Sequence, residues 1–147
     1  MIDIRNYLSP ERVIDLKSTS KDGAIMELVA LSADSTAVED AEKLQEAIFE
    51  REGIMSTGIG LGIAIPHAKI PSVKDFVVAI GRTRAGIDFN ALDQKPVNIV
   101  VLIAGPSQEQ QRYLEILAGV TLRLKSDEVR SSVLAAETPE ELIDVLA

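Results

Sequence analysis

The order of apolar and polar positions divides the chain into alternating helical and extended segments. Over residues 1–19 charged and apolar side chains interleave without a helical period, which predicts an extended segment with Arg12-Val13-Ile14-Asp15-Leu16 as a strand. Ser20 stands where an N-cap belongs, ahead of a helix whose apolar side is Ile25, Leu28 and Val29. A second helix is predicted over residues 35–53, with Ala41, Leu44, Ala47 and Ile48 on one side and Gly53 just past its last turn. Extended stretches follow at 62–65, 76–83 and 97–104, and the last is apolar on both parities, as a strand covered on both faces should be. Asp93-Gln94-Lys95-Pro96 marks the turn before it. Ser107 and Gln110 have the spacing of a capping box, followed by a long helix with the stripe Tyr113, Ile116, Leu117, Val120 and Leu124. A shorter helix is predicted over 127–136. A final one is opened by Thr138 as N-cap, Pro139 in its first turn and Glu141 closing a second box. Two helices, several strands and three more helices, with no linker-like gap, predict an α/β sandwich in a single domain over residues 1–147.

Composition adds limits to that picture. Hydrophobic residues make up 46% of the chain, enough for a real core. Cysteine is missing, which excludes disulfides and thiolate metal sites and fits a reducing cytoplasm. The apolar run 97–104 is far short of the ~20 residues a membrane helix needs, and the charged first residues lack a signal-peptide core. The expectation is a cytoplasmic protein with no direct membrane insertion. A net charge of −8 opposes binding to nucleic acid, and aromatics at 3% leave few bases-stacking platforms. The same charge favours a partner with a basic docking face.

Candidate chemistry concentrates between Arg51 and Lys69. Gly58, Gly60 and Gly62 invite a dinucleotide-binding reading, but no third glycine follows at the required spacing, and Ile63-Ala64-Ile65-Pro66 predicts an extended segment rather than a helix. A phosphate-binding P-loop is excluded because no Gly-Lys-Ser/Thr follows. A glycine-rich strand with a close backbone approach remains, as do glycine amides that could meet an anion.

The single histidine, His67, follows Pro66. A metal site would need partners that the chain does not provide, since there is no second histidine and no cysteine. A hydrolase triad would need a nucleophile on a sharp turn, and the surroundings of Ser56 do not match that pattern. Two readings stay open: a half-buried packing ring, or a nucleophile that takes up a phosphoryl group near neutral pH. For the second, Arg51 offers a permanently charged fork and Ser56 and Thr57 offer hydroxyls. Pro66 suggests that the strand ends beside the ring, where an α/β sheet commonly places a site.

Arg51-Glu52, followed by Gly53 through Lys69 (GIMSTGIGLGIAIPHAK), resembles the signature of the enzyme IIA domains of the bacterial phosphoenolpyruvate-dependent phosphotransferase system, of the fructose/mannitol/nitrogen-regulatory class. The later stretches GIDFNALDQKPVNIVVLIAGP, YLEILAGVTLRL and ETPEELIDVL follow the same family's order, so the resemblance covers nearly the whole chain. It implies a mixed β-sheet between helices and a phosphohistidine at His67. The donor would be a histidine phosphocarrier protein, and the recipient a IIB domain in sugar uptake or, in nitrogen-class members, a regulated target protein. Arg51, Ser56 and Thr57 match the family's arginine and hydroxyl positions around the phosphate, and no metal, nucleotide or other cofactor is implied. By eye the signature lies nearer the nitrogen class. A phosphorylation-independent binding module is the remaining alternative. The chain departs from the family at Tyr113, where many members carry a second histidine; a phenol can support a phosphate oxygen but cannot become a cation. Arg82 and Arg84 are expected at a solvated strand end, and Glu50 and Glu52 on a helix surface.

Overall fold

The strand apolar on both parities is the spine of the molecule. In the computed structural model, which describes residues 3–147, it is β6 (Val97–Gly105), the name following five earlier strands: β1 (Val13–Asp15), β2 (Gly58–Gly60), β3 (Ile63–Ala64), β4 (His67–Lys69) and β5 (Val77–Ile87). Five helices complete the chain: α1 (Lys21–Ser32), α2 (Ala41–Ile54), α3 (Gln110–Leu124), α4 (Asp127–Ala135) and α5 (Pro139–Leu146). The alternation along β6 divides two cores. Val100, Leu102 and Ala104 enter the core shared with Leu28 of α1 and Leu44 and Ile48 of α2. Ile99, Val101 and Ile103 enter the other, with Ile116 and Val120 of α3, Val133 of α4 and Leu142 of α5. Side chains that alternate across a strand bury both faces only when each face is covered, so the predicted sandwich follows from this one stretch.

The sheet is mixed, in the order β1-β5-β6-β3-β2. β1 runs parallel to β5, β5 antiparallel to β6, β3 parallel to β6, and β2 antiparallel to β3. β4 continues the edge of β6 beyond β3: Ile63 and Ala64 oppose Ile99 and Val100, and His67 opposes Ile103. No helix among the described residues is long and apolar enough to cross a membrane.

Most helix signals hold. The hydroxyls of Ser20 and Thr138 cap α1 and α5, accepting from the Gly23 and Glu141 amides. The differences have local causes. The first residues are not continuously extended; two 3₁₀ turns, Ile4–Tyr7 and Pro10–Arg12, are capped by Asp3 and Ser9 before β1 begins. Helix α2 starts at Ala41, later than the predicted residue 35, and Asp40 caps it by receiving the Glu42 and Lys43 amides. Gly53 lies inside that helix, not beyond it, and Met55 ends it in an extended conformation. The box predicted between Ser107 and Gln110 does not form, since α3 begins at Gln110 with Glu109 before it and no side-chain cap. In α5 the reciprocal bond from Glu141 reaches the Glu137 amide, one residue earlier than a standard capping box.

Candidate functional site

The glycine stretch is a hairpin. β2 and β3 are joined through Leu61 and Gly62, both with positive φ (60° and 77°), the backbone of a tight two-residue turn. Gly58 is required by contact: a Cβ there would meet the Ala91 backbone at 2.8 Å. The Gly58 and Leu61 amides are not free for an anion, because Ser56 Oγ accepts from Gly58 and Asp93 Oδ2 accepts from Leu61.

Pro66 then interrupts the strand. β3 ends at Ala64, the Pro66 carbonyl accepts from the Ile103 amide at 3.0 Å, and pairing to β6 resumes at His67. Alternation along β4 sends Ala68 into the core under α1 and α2, which leaves His67 and Lys69 on the opposite side, toward Tyr113 of α3. The imidazole is half-buried, with its centroid 5.8 Å from that of Tyr113. Lys69 Nζ lies 5.5 Å from the same Tyr113 ring. These three residues, with Arg51 and Ile54 from the last turn of α2, line an open cleft of about 440 Å³.

The geometry fixes the chemistry of the imidazole. Its Nδ1 lies 2.6 Å from the Ile65 carbonyl oxygen, which can only accept, so Nδ1 carries the proton and donates. Nε2 therefore keeps its lone pair. Among the described residues Nε2 has no hydrogen-bond partner, and Ser72 Oγ is the sole unpaired polar side-chain atom sealed from solvent, so Nε2 is open to it. Burial holds the His67 pKa below its ordinary value; the bond to Ile65 opposes this, the Arg51 charge adds to it, and the Glu52 carboxylate also opposes it. The ring is neutral at pH 7. Burial raises the Tyr113 pKa far above its ordinary value, against the pull of Arg51, so the phenol stays a donor.

A pH dependence follows, with its sign. A group whose proton is lost more easily when folded reacts fully at neutral pH and loses reactivity only as acid protonates it. Nucleophilic reactivity of His67 should be flat around pH 7 and fall on acidification below the ordinary histidine pKa of ~6.5. Folding stability should decline over the same acidic range, because the unfolded chain binds that proton more readily. A pH titration of the His67 ring resonances checks both the direction and the range.

Arg51 is held for the cleft: its Nη1 donates to the Met55 carbonyl at 2.9 Å, and its other donors have no protein acceptor among the described residues. Ser56 and Thr57 are placed differently. The Ser56 hydroxyl donates to the Phe89 carbonyl at 2.6 Å, and the buried Thr57 hydroxyl donates to Glu52; neither residue lines the cleft. The structure thus brings Arg51, His67 and Tyr113 together and turns both hydroxyls inward.

Two residues escaped the sequence reading. Lys69 shares the cleft because it lies two positions after His67 on one strand, a signal that alternation offered. Glu52 is not a surface charge: it is 7% exposed and paired with Lys21 Nζ at 2.9 Å. It occupies the next position of the Leu44–Ile48 stripe at i+4 spacing, so the helical period pointed inward while the residue type pointed outward. Arg82 is also not solvated. It donates to Asp15 at 2.6 Å and to the Val133 carbonyl at 2.8 Å, tying β5 to β1 and α4; Arg84 is exposed as expected.

A family model described as "Phosphoenolpyruvate-dependent sugar phosphotransferase system, EIIA 2" matches residues 6–147. The chain is 38% identical over 142 residues to a fructose-specific EIIA component of the phosphotransferase system from Haloferax volcanii, covering 95% of this chain and 92% of the other. It is 30% identical over 145 residues to a nitrogen regulatory protein from Bradyrhizobium diazoefficiens, covering 98% and 94%. Its fold superposes with a TM-score of 0.90 on the crystal structure of nitrogen regulatory protein IIA-Ntr from Neisseria meningitidis, at 29% identity, covering 98% of this chain and 99% of that one.

Proposed function

Because the chain belongs to the phosphoenolpyruvate-dependent sugar phosphotransferase system EIIA 2 family, we propose that it is a phosphoryl carrier that accepts a phosphoryl group on Nε2 of His67 from a histidine phosphocarrier protein. One observation carries this reading: the only imidazole of the chain has Nδ1 tied to a carbonyl and Nε2 free beside an arginine in an open cleft.

The step balances without a metal or nucleotide. The Nε2 lone pair of His67 attacks the phosphorus of the donor's phosphohistidine, and the donor's P–N bond breaks with its electron pair returning to the donor ring. Positive charge then develops on the His67 ring, and the Nδ1–H bond to Ile65 strengthens as it does. Arg51 and Lys69 face the negative phosphoryl oxygens, and Tyr113 supports them through its hydroxyl. Lys69 takes over part of the charge role of the family's second histidine. Ile54 and Met55, 79% and 61% exposed, flank Arg51 and offer apolar surface to an incoming protein.

Two onward roles have specific support. Regulatory binding, in which a phosphate of nearly two negative charges alters contacts with a target, is favoured by the close superposition on IIA-Ntr. Delivery to a IIB domain in fructose-like uptake is favoured by the higher identity to the fructose-specific relative. Incubation with phosphoenolpyruvate, enzyme I and phosphocarrier should give an acid-labile label. Rapid discharge onto an added fructose-type IIB domain supports uptake; retention, with target binding that differs between the two phosphorylation states, supports regulation. No label would leave a phosphorylation-independent binding module.

Tyr113→His tests the departure from the family. A protonated imidazole makes stronger, charge-assisted bonds to phosphate than a phenol, so transfer should rise about fivefold at pH 6 and less at pH 8. A variant that transfers no faster at either pH would sink the assigned role of Tyr113.

A further inference from the structure

The strand break at Pro66 leaves the backbone groups of Ile65 outside the β6 ladder. Its amide donates to the Thr57 carbonyl at 3.1 Å, and its carbonyl is the acceptor that fixes His67 Nδ1. Thr57 itself lies between α2 and β2, outside regular structure. What holds it is Glu52: the Thr57 amide donates to both carboxylate oxygens at 3.2 Å, and its hydroxyl donates to Oε1. The carboxylate is in turn held by Lys21, and the side chains of the two are 3% and 18% exposed.

This ion pair is an odd choice if stability were its only purpose. Desolvating two charges offsets much of their attraction, and apolar residues of similar size often serve a core equally well. Lys21 also places a cation in the first turn of α1, where the helix dipole disfavours it. It further packs with its Nζ 5.0 Å from the Phe89 centroid, the residue whose carbonyl binds Ser56. The Glu52 bonds to Thr57 and, through Phe89 and Ser56, the Lys21 ring contact both lead to the segment that carries the histidine.

We propose that the Lys21–Glu52 pair, with its carboxylate buried, is a positioning device for His67, which holds Thr57, through it the backbone of Ile65, and so keeps the proton on Nδ1 and the lone pair on Nε2. Glu52 does not touch the phosphoryl group. It acts through the backbone of two residues, Thr57 and then Ile65, and its loss should alter which ring nitrogen is protonated before any donor arrives. The nearby negative charge works in the same sense once the ring becomes cationic.

The chain has one histidine, so ¹⁵N-histidine labelling gives a single ring whose two nitrogen shifts report the tautomer directly. In the intact protein Nδ1–H should dominate. In Glu52→Gln, which keeps the shape but removes the charge, the Nδ1–H to Nε2–H ratio should fall by about threefold or more, and kcat for phosphoryl uptake should fall roughly tenfold with little change in KM for the phosphocarrier. Thr57→Val, which removes only the hydroxyl bond to Glu52, should move the ratio in the same direction by less. A folded Glu52→Gln with the ratio of the intact protein overturns the proposal; if that variant does not fold, an unchanged ratio in Thr57→Val does so. The rate comparison rests on His67 being the phosphoryl acceptor, whereas the tautomer readout needs no donor. A protein that takes no label would therefore defeat the functional reading while the ring shifts still decide this one.

Discussion

His67→Ala should take up no phosphoryl group from a phosphorylated carrier protein, and should do so without losing the fold. The chain has no second imidazole to substitute, and Tyr113, with its pKa driven upward by burial, is a poor nucleophile at any physiological pH. The Ser56 and Thr57 hydroxyls are turned away from the cleft and engaged with Phe89 and Glu52. Transfer should fall by more than about 10³-fold, to the background of the assay. The ring is half-buried on the edge strand β4, so its removal leaves both cores intact and costs on the order of 1 kcal/mol. Acid-labile label per chain and a thermal melt, measured on one preparation, check both halves. A labelled His67→Ala protein would place the chemistry elsewhere.

Arg51→Ala carries the second largest expected effect, a loss of about 10²-fold in transfer rate, the usual consequence of removing one preorganised donor from a developing anion. Its guanidinium is held at the cleft by Met55 and lacks another protein acceptor among the described residues, so the donors are already in position and need not reorganise. Arg51→Lys should recover only part of the rate, since an ammonium keeps the charge and loses the planar fork. The same variants report on His67. Because the Arg51 charge contributes to holding the imidazole pKa down, Arg51→Ala should raise it, and the acid limb of the rate profile should move toward higher pH. Rates measured across pH separate the two consequences. An Arg51→Ala enzyme with the rate and pH profile of the native chain would remove the guanidinium from the mechanism.

The parts of the fold that the sequence made legible are those with long apolar periods. Residues 97–104 are apolar on both parities, and that alone required helices on both faces of the sheet. The α3 stripe through Tyr113, Ile116, Val120 and Leu124 is buried as the helical period demands. Local caps were legible at Ser20 and Thr138, and misread at Ser107, since α3 begins only at Gln110 and has no side-chain cap. The site was legible in part. The proline and histidine at the end of an extended run pointed to the ring that lies in the cleft, and Arg51 to the cation that lines the cleft with it. The hydroxyl roles of Ser56 and Thr57 depend on side-chain direction in an irregular segment, which no periodicity reports. Glu52 was hidden by its own chemistry, since a carboxylate on a helix is normally solvated and its half-buried partner, Lys21, lies on another helix thirty-one positions earlier.

The most direct measurement is made on the ¹⁵N-histidine-labelled protein after incubation with phosphoenolpyruvate, enzyme I and the histidine phosphocarrier protein. ³¹P–¹⁵N coupling identifies the nitrogen that holds phosphorus. Coupling to Nε2, with the proton still on Nδ1, is the predicted result. Coupling to Nδ1, or a stable phosphate that survives acid on a hydroxyl, contradicts it.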